Sequence, residues 1–154
     1  MTGYDELIQK LCISLEVPHE PDSDFFVFET QGHQAVVSAF TGPSGDEGVR
    51  VQISAGTFPQ ATDGSTLDAL RMLHHLNHKA RTSMAWRIVL CDDDVLMIQQ
   101  TCPLTVGDEG LQQVLIDGLD RVGHLRSLLE DWLPTPSAIE LPPVAGPSGH
   151  IVFA

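Results

Sequence analysis

The 154-residue sequence predicts an α+β fold in the order α-β-β-β-α-β-β-α, a twisted antiparallel sheet packed with three helices and followed by a flexible C-terminal tail. Three observations predict it. Apolar residues recur at helical spacing in three separate stretches, and between the first two lie runs of aromatic and β-branched residues bounded by turn formers. The third is Trp86 to Gln100, WRIVLCDDDVLMIQQ, in which the apolar run Ile88–Leu90 reaches three aspartates and turns into a second run, Val95 to Ile98. That is the pattern of a β-hairpin. A helical pattern flanks it on each side, Ser65 to Arg81 before and Asp108 to Leu133 after.

In the first helix Tyr4, Leu7, Ile8, Leu11, Cys12 and Leu15 share one face, while Ile13 points the other way. Pro18 and Pro21 stop it, because proline cannot continue the hydrogen-bond ladder. Phe25 to Thr30 reads as a strand, Gln31 and Gly32 as a turn, and His33 to Thr41 as the returning strand. After the glycine-rich loop Gly42 to Gly48, Val49, Val51 and Ile53 alternate with Arg50, Gln52 and Ser54, which is a strand with one buried face.

Ser65 is placed to cap the second helix. Its apolar residues Leu67, Ala69, Leu70, Met72, Leu73, Leu76 and Ala80 span about 160° of the wheel, more than one neighbour within the chain covers, so part of the face is expected to meet another subunit. Pro103 to Gly110 reads as a linker. The last helix carries the stripe Leu111, Val114, Leu115, Leu119, Val122, Leu125, Leu129 and Trp132, interrupted by Gly118, where a missing side chain lets a packed element approach closely. One domain is expected over residues 1–133. Residues 134–154 form a Pro/Gly-rich extended tail without periodicity, whose apolar end, Ile151 to Phe153, could dock onto the domain or a neighbour.

Composition narrows the function. With 8 Lys+Arg against 21 Asp+Glu the net charge is -13, a field that repels nucleic acid and anionic lipid and favours partners with basic segments. Cys12, Cys91 and Cys102 sit in apolar runs without paired metal spacing and read as reduced core thiols of a cytosolic protein. No stretch approaches the roughly 20 apolar residues that span a bilayer, and MTGYDEL has no signal-peptide character, so neither signal-peptide export nor membrane anchoring is expected.

Catalytic chemistry finds little support. His74 and His78 have the i,i+4 spacing of metal ligands, with His75 beside them, but Arg71 lies between them on the wheel and no third ligand is evident; a polar stripe is the better reading. Asp92, Asp93 and Asp94 read as turn formers. Ser44 lacks the glycine spacing of a nucleophile elbow, phosphate-binding glycine motifs are absent, and no cysteine has a local basic neighbour. No catalytic residue, metal or cofactor is expected. Ile13 and the aromatic strand Phe25, Phe26 and Phe28 suggest apolar surface for binding a chain, unless loops or the tail cover it.

The opening helix Asp5 to Leu15, the hairpin AWRIVLCDDDVLMIQQTCPL and the closing helix LQQVLIDGLDRVGHLRSLLEDWL together resemble the class I chaperones of bacterial type III secretion, the CesT/SycE-like family. The resemblance covers roughly residues 4 to 133 and lies in layout and charge; within the family it looks most like the HpaB-like general chaperones that serve several virulence effectors. The Gly-Pro tail and the histidine-rich second helix depart from it. The resemblance implies a non-enzymatic homodimer in the bacterial cytoplasm that binds the N-terminal segments of secreted effectors in extended form and keeps them soluble and secretion-competent. The secretion-apparatus ATPase is a further implied partner. It implies effector contacts at Leu7, Leu11, Ile13, Phe26, Phe28 and Val37, and a two-fold interface at Leu70, Leu73, Leu76, Trp86 and Ile88. The alternatives are an adaptor or regulatory module of similar layout that binds a folded partner, and an enzyme built on His74 and His78 or on a cysteine.

Overall fold

The computed structural model describes residues 3–21, 23–58, 64–83, 86–91, 94–130 and 150–153. Helix α1 (Gly3–Ser14) is followed by strands β1 (Phe25–Thr30), β2 (His33–Thr41) and β3 (Glu47–Thr57), helix α2 (Gly64–Ser83), strands β4 (Arg87–Leu90) and β5 (Val95–Pro103), helix α3 (Gly107–Leu128) and a last strand, β6 (His150–Phe153). The strands form one six-stranded sheet in the order β4-β5-β3-β2-β1-β6. Neighbours among β1 to β5 are antiparallel, as expected, whereas β6 runs parallel to β1.

The core lies on one face of this sheet. Phe26, Phe28, Ala35, Val37, Val49, Val51 and Ile53 are buried there together with Leu7, Ile8 and Leu11 of α1, Ala69 and Leu73 of α2, and Leu111, Val122 and Leu125 of α3. The five buried residues of α1 are Tyr4, Leu7, Ile8, Leu11 and Cys12, the face that helical spacing singles out. Tyr4 also donates a hydrogen bond from its hydroxyl to the Val37 carbonyl at 3.0 Å, tying the helix to the sheet; burial raises its pKa. The helix stops before either proline, with Glu16 in the left-handed region (φ 55) and the Val17 amide bonded back to the Cys12 carbonyl at 2.9 Å. That is a Schellman closure with glutamate at the position where glycine is usual.

The β1–β2 turn sits where expected, with Gln31 (φ 51) and Gly32 (φ 77) both left-handed and Thr30 opposite His33. Two successive positive φ values match the right-handed twist of the flanking strands, which sets this register. Strand β3 runs longer than its alternating stretch because a bulge between Ser54 and Gly56 lets it continue against β5. At that bulge Arg126 of α3 donates to the Ala55 carbonyl. His33 Nδ1 lies 3.0 Å from the Ser54 carbonyl, and burial, with the Arg126 charge nearby, lowers its pKa.

The hairpin forms as read, closed by Asp94 (φ 59) and the Cys91 amide bonded to the Val95 carbonyl at 2.9 Å; Asp92 and Asp93 lie outside the described residues. The expected linker from Pro103 to Gly110 is instead the end of β5, a 3-10 turn over Leu104–Val106 and the start of α3. Helix α3 then ends at Leu128, short of Leu133, with the Leu129 amide bonded to the Leu125 and Arg126 carbonyls and the Leu129 side chain fully buried. Trp132 and the proline-rich residues 134–149 lie outside the described residues.

Candidate protein-binding surfaces

Of the six residues implied as effector contacts, five belong to the chain's own core: Leu7, Leu11, Phe26, Phe28 and Val37 are all buried. The reason is packing between elements far apart in sequence. Helix α1 shares its core with β1 and β2 and is tied to β2 by Tyr4, and the His19 ring from the following loop stacks on Phe26 at 5.5 Å. Ile13 differs, being 69% exposed on the outer side of α1. An isoleucine this open is a candidate contact, because none of the described residues covers it.

A groove that sequence reading missed lies next to β1. Leu15 from the end of α1, Phe28, Thr30 and Ala35 from the sheet, and Leu115, Ile116 and Leu119 from α3 line it, enclosing about 140 Å³ with almost wholly apolar walls. Ile116 on its rim is 53% exposed. Leu115 and Leu119 belong to the α3 stripe. Ile116, one residue off that stripe, is the signal in the sequence that α3 is apolar beyond the width its own sheet covers.

The other end of the sheet carries the residues implied at a two-fold interface. Leu73 and Trp86 are buried within the subunit, Leu76 and Ile88 are half-buried, and Leu70 is exposed. Leu67 and Met72, on the same helix, are exposed as well. The breadth of the α2 apolar face is therefore real: Ala69 and Leu73 turn inward, and Leu67, Leu70 and Met72 have no cover from the described residues. Beside them Leu76, Trp86, Ile88, Ile98, Leu125 and Leu128 line a second apolar cavity of about 140 Å³.

Asn77 is the residue here with no sequence signature. Its side-chain amide donates to the Ile88 carbonyl at 2.8 Å, and its side-chain oxygen accepts from the Ile88 amide at 2.7 Å. One carboxamide thus satisfies both outward-facing backbone groups of Ile88 on the edge strand β4, as a neighbouring strand would. Asn77→Ala is expected to lower stability by about 1–2 kcal/mol, since two partly buried backbone groups lose their partner, and to open this edge to other chains. Thermal unfolding and concentration-dependent light scattering check it; an unchanged midpoint with no new association contradicts the clamp.

Among the described residues, His74 and His78 line one open cavity with Asn77 and Arg87, and no cysteine or carboxylate lines it with them. His74, His75 and His78 are exposed on α2, and among the described residues no group of three or more His, Cys, Asp or Glu is placed to hold a metal ion. Burial raises the pKa of the Cys12 and Cys102 thiols, which makes them poorer nucleophiles. The Ser44 hydroxyl is exposed and donates to Asp46 at 2.9 Å.

The sequence matches no family model and no curated protein. Solved structures do match. The fold is similar to that in the crystal structure of the ExsC–ExsE complex, with a TM-score of 0.65 at 9% identity over 86% of this chain and 94% of that one. A further match is the Yersinia pestis type III secretion chaperone SycH in complex with a stable fragment of YscM2, with a TM-score of 0.49 at 15% identity over 79% of this chain and 98% of that one. The element order from α1 to α3 and the five-stranded antiparallel part of the sheet, β1 to β5, are those of the class I type III secretion chaperone fold.

Proposed function

We propose that the protein is a cytosolic type III secretion chaperone, a homodimer that binds the N-terminal region of one or more secreted effectors in extended form and holds it soluble and ready for export. The observation that carries this reading is the shared fold with a protein crystallised in the ExsC–ExsE complex, over most of both chains. The chemistry of the surface supports it. Ile13 and Ile116 are exposed apolar residues on two different helices, and a client that wraps the protein in extended form can touch separated patches, which a compact partner does less readily. The net charge of -13 draws in a basic segment from a distance.

On this reading the protein performs no chemistry. It supplies apolar surface and backbone partners, and part of the burial gain offsets the cost of ordering a flexible client. Residues 1–133 are the binding domain, and Leu67, Leu70 and Met72 meet their two-fold counterparts. Co-expression with a large protein encoded nearby that has a disordered N-terminus should give a stable complex containing two copies of this chain by light scattering. A monomer that captures no such client would overturn the proposal.

A further inference from the structure

Strand β6 closes the edge of the sheet opposite Asn77, and it comes from the last residues of the chain. Its parallel register pairs Val27 with His150, Phe28 with Ile151, Glu29 with Val152 and Thr30 with Phe153. Phe28 and Thr30 are the two β1 residues that line the apolar groove. The alternating residues Ile151 and Phe153 therefore hold the register positions beside it. We propose that residues His150–Phe153 are a built-in, displaceable occupant of the β1 edge, and that the edge with its groove is a docking site for an extended segment carrying apolar residues at alternate positions.

Three features make the occupant displaceable. It pairs over only four residues, in the parallel arrangement that is slightly weaker per residue. Residues 131–149 put 19 residues of chain between Glu130 and β6, a length that spans roughly 60 Å when fully extended, about twice the diameter of a small domain, so the strand can leave the edge while still attached. From Leu141 to Ala154 there is no Asp, Glu, Lys or Arg, so the segment gains nothing from the acidic field of the protein. A partner strand with basic flanks gains from both the groove and the field. It competes against a tethered segment whose effective concentration is on the order of millimolar. That the displacing partner is an effector rests on the chaperone reading; that the C-terminus occupies the edge does not.

A labelled peptide of residues 146–154 tests the occupancy directly. The chain shortened to end at residue 145 should bind it saturably, and the full chain about tenfold more weakly, because its own C-terminus already fills the site. The full chain carrying Ile151→Asp and Phe153→Asp should bind it as the shortened chain does, which guards against a truncation that misfolds. A peptide with the same two substitutions should not bind. Absence of peptide binding by both altered chains, or equal binding by the intact chain, overturns the inference and leaves the chaperone reading standing. Peptide docking without any client complex would count against the chaperone reading instead.

Discussion

Gly118→Val is expected to destabilise the protein by about 3 kcal/mol, a fall of roughly 6–12 °C in the unfolding midpoint for a domain of this size. Gly118 is buried in the middle of α3, where a Cβ would meet the end of Ile53 and come within 2.7 and 2.8 Å of the Trp86 ring. Glycine inside a helix costs about 1 kcal/mol relative to alanine, so its presence here has to be offset by the close approach it allows. The tip of Ile53 can turn aside, but Trp86 is itself buried and its ring is rigid. A β-branched side chain at position 118 therefore pushes α3 off the sheet. Denaturant and thermal unfolding measure the loss; an unchanged midpoint would show that α3 has room to move.

Leu70→Asp is expected to convert the proposed dimer into a folded monomer. Leu70 is 41% exposed within one subunit, so a charge there leaves the core intact. In a two-fold interface each substitution acts twice, and burying a leucine contributes about 1.5–3 kcal/mol, so the dimer should weaken by at least two orders of magnitude. Sedimentation or light scattering reads the change of mass, with circular dichroism confirming the fold. Leu73 is a poorer choice, since its side chain fills the subunit's own core and an aspartate there would unfold the chain. An intact Leu70→Asp dimer would move the interface away from α2.

Local patterns in the sequence carried much of the fold. Gln31 and Gly32 mark a turn whose flanking strands begin and end as read, and the periodicity of Tyr4 to Cys12 names the buried face of α1. These features depend on neighbours a few residues apart. What the sequence did not show depends on residues distant along the chain. Phe26 and Phe28 are aromatic and look like surface for a client, yet both are buried in the core that the sheet shares with the helices, with the His19 ring stacked on Phe26. Asn77 is an ordinary polar helix residue until β4 brings Ile88 alongside it. The same holds for Arg126, whose partner is the Ala55 carbonyl at the bulge of β3, 71 residues earlier in the chain. The apolar end at Ile151 to Phe153 could be read as a docking segment, but neither its strand partner nor its direction follows from composition. In the same way, the exposed apolar surface lies at Ile13, Ile116 and the groove between α3 and β1 rather than along the whole aromatic strand.

The two ends of the sheet are closed by different means, and the difference bears on function. At β4 a side chain from α2 clamps the edge, while at β1 a strand tethered at the far end of the chain covers it. The first closure suits a permanent boundary and the second a site that opens when a better strand arrives.

Protease protection of a client in the purified complex tests the central claim most directly. If the protein is a chaperone for extended segments, digestion of the complex should leave a continuous N-terminal piece of the effector that is unstructured when free, held by a contact burying on the order of 1,000–3,000 Å². Protection of a compact domain already folded on its own, or of no effector segment at all, would contradict the account.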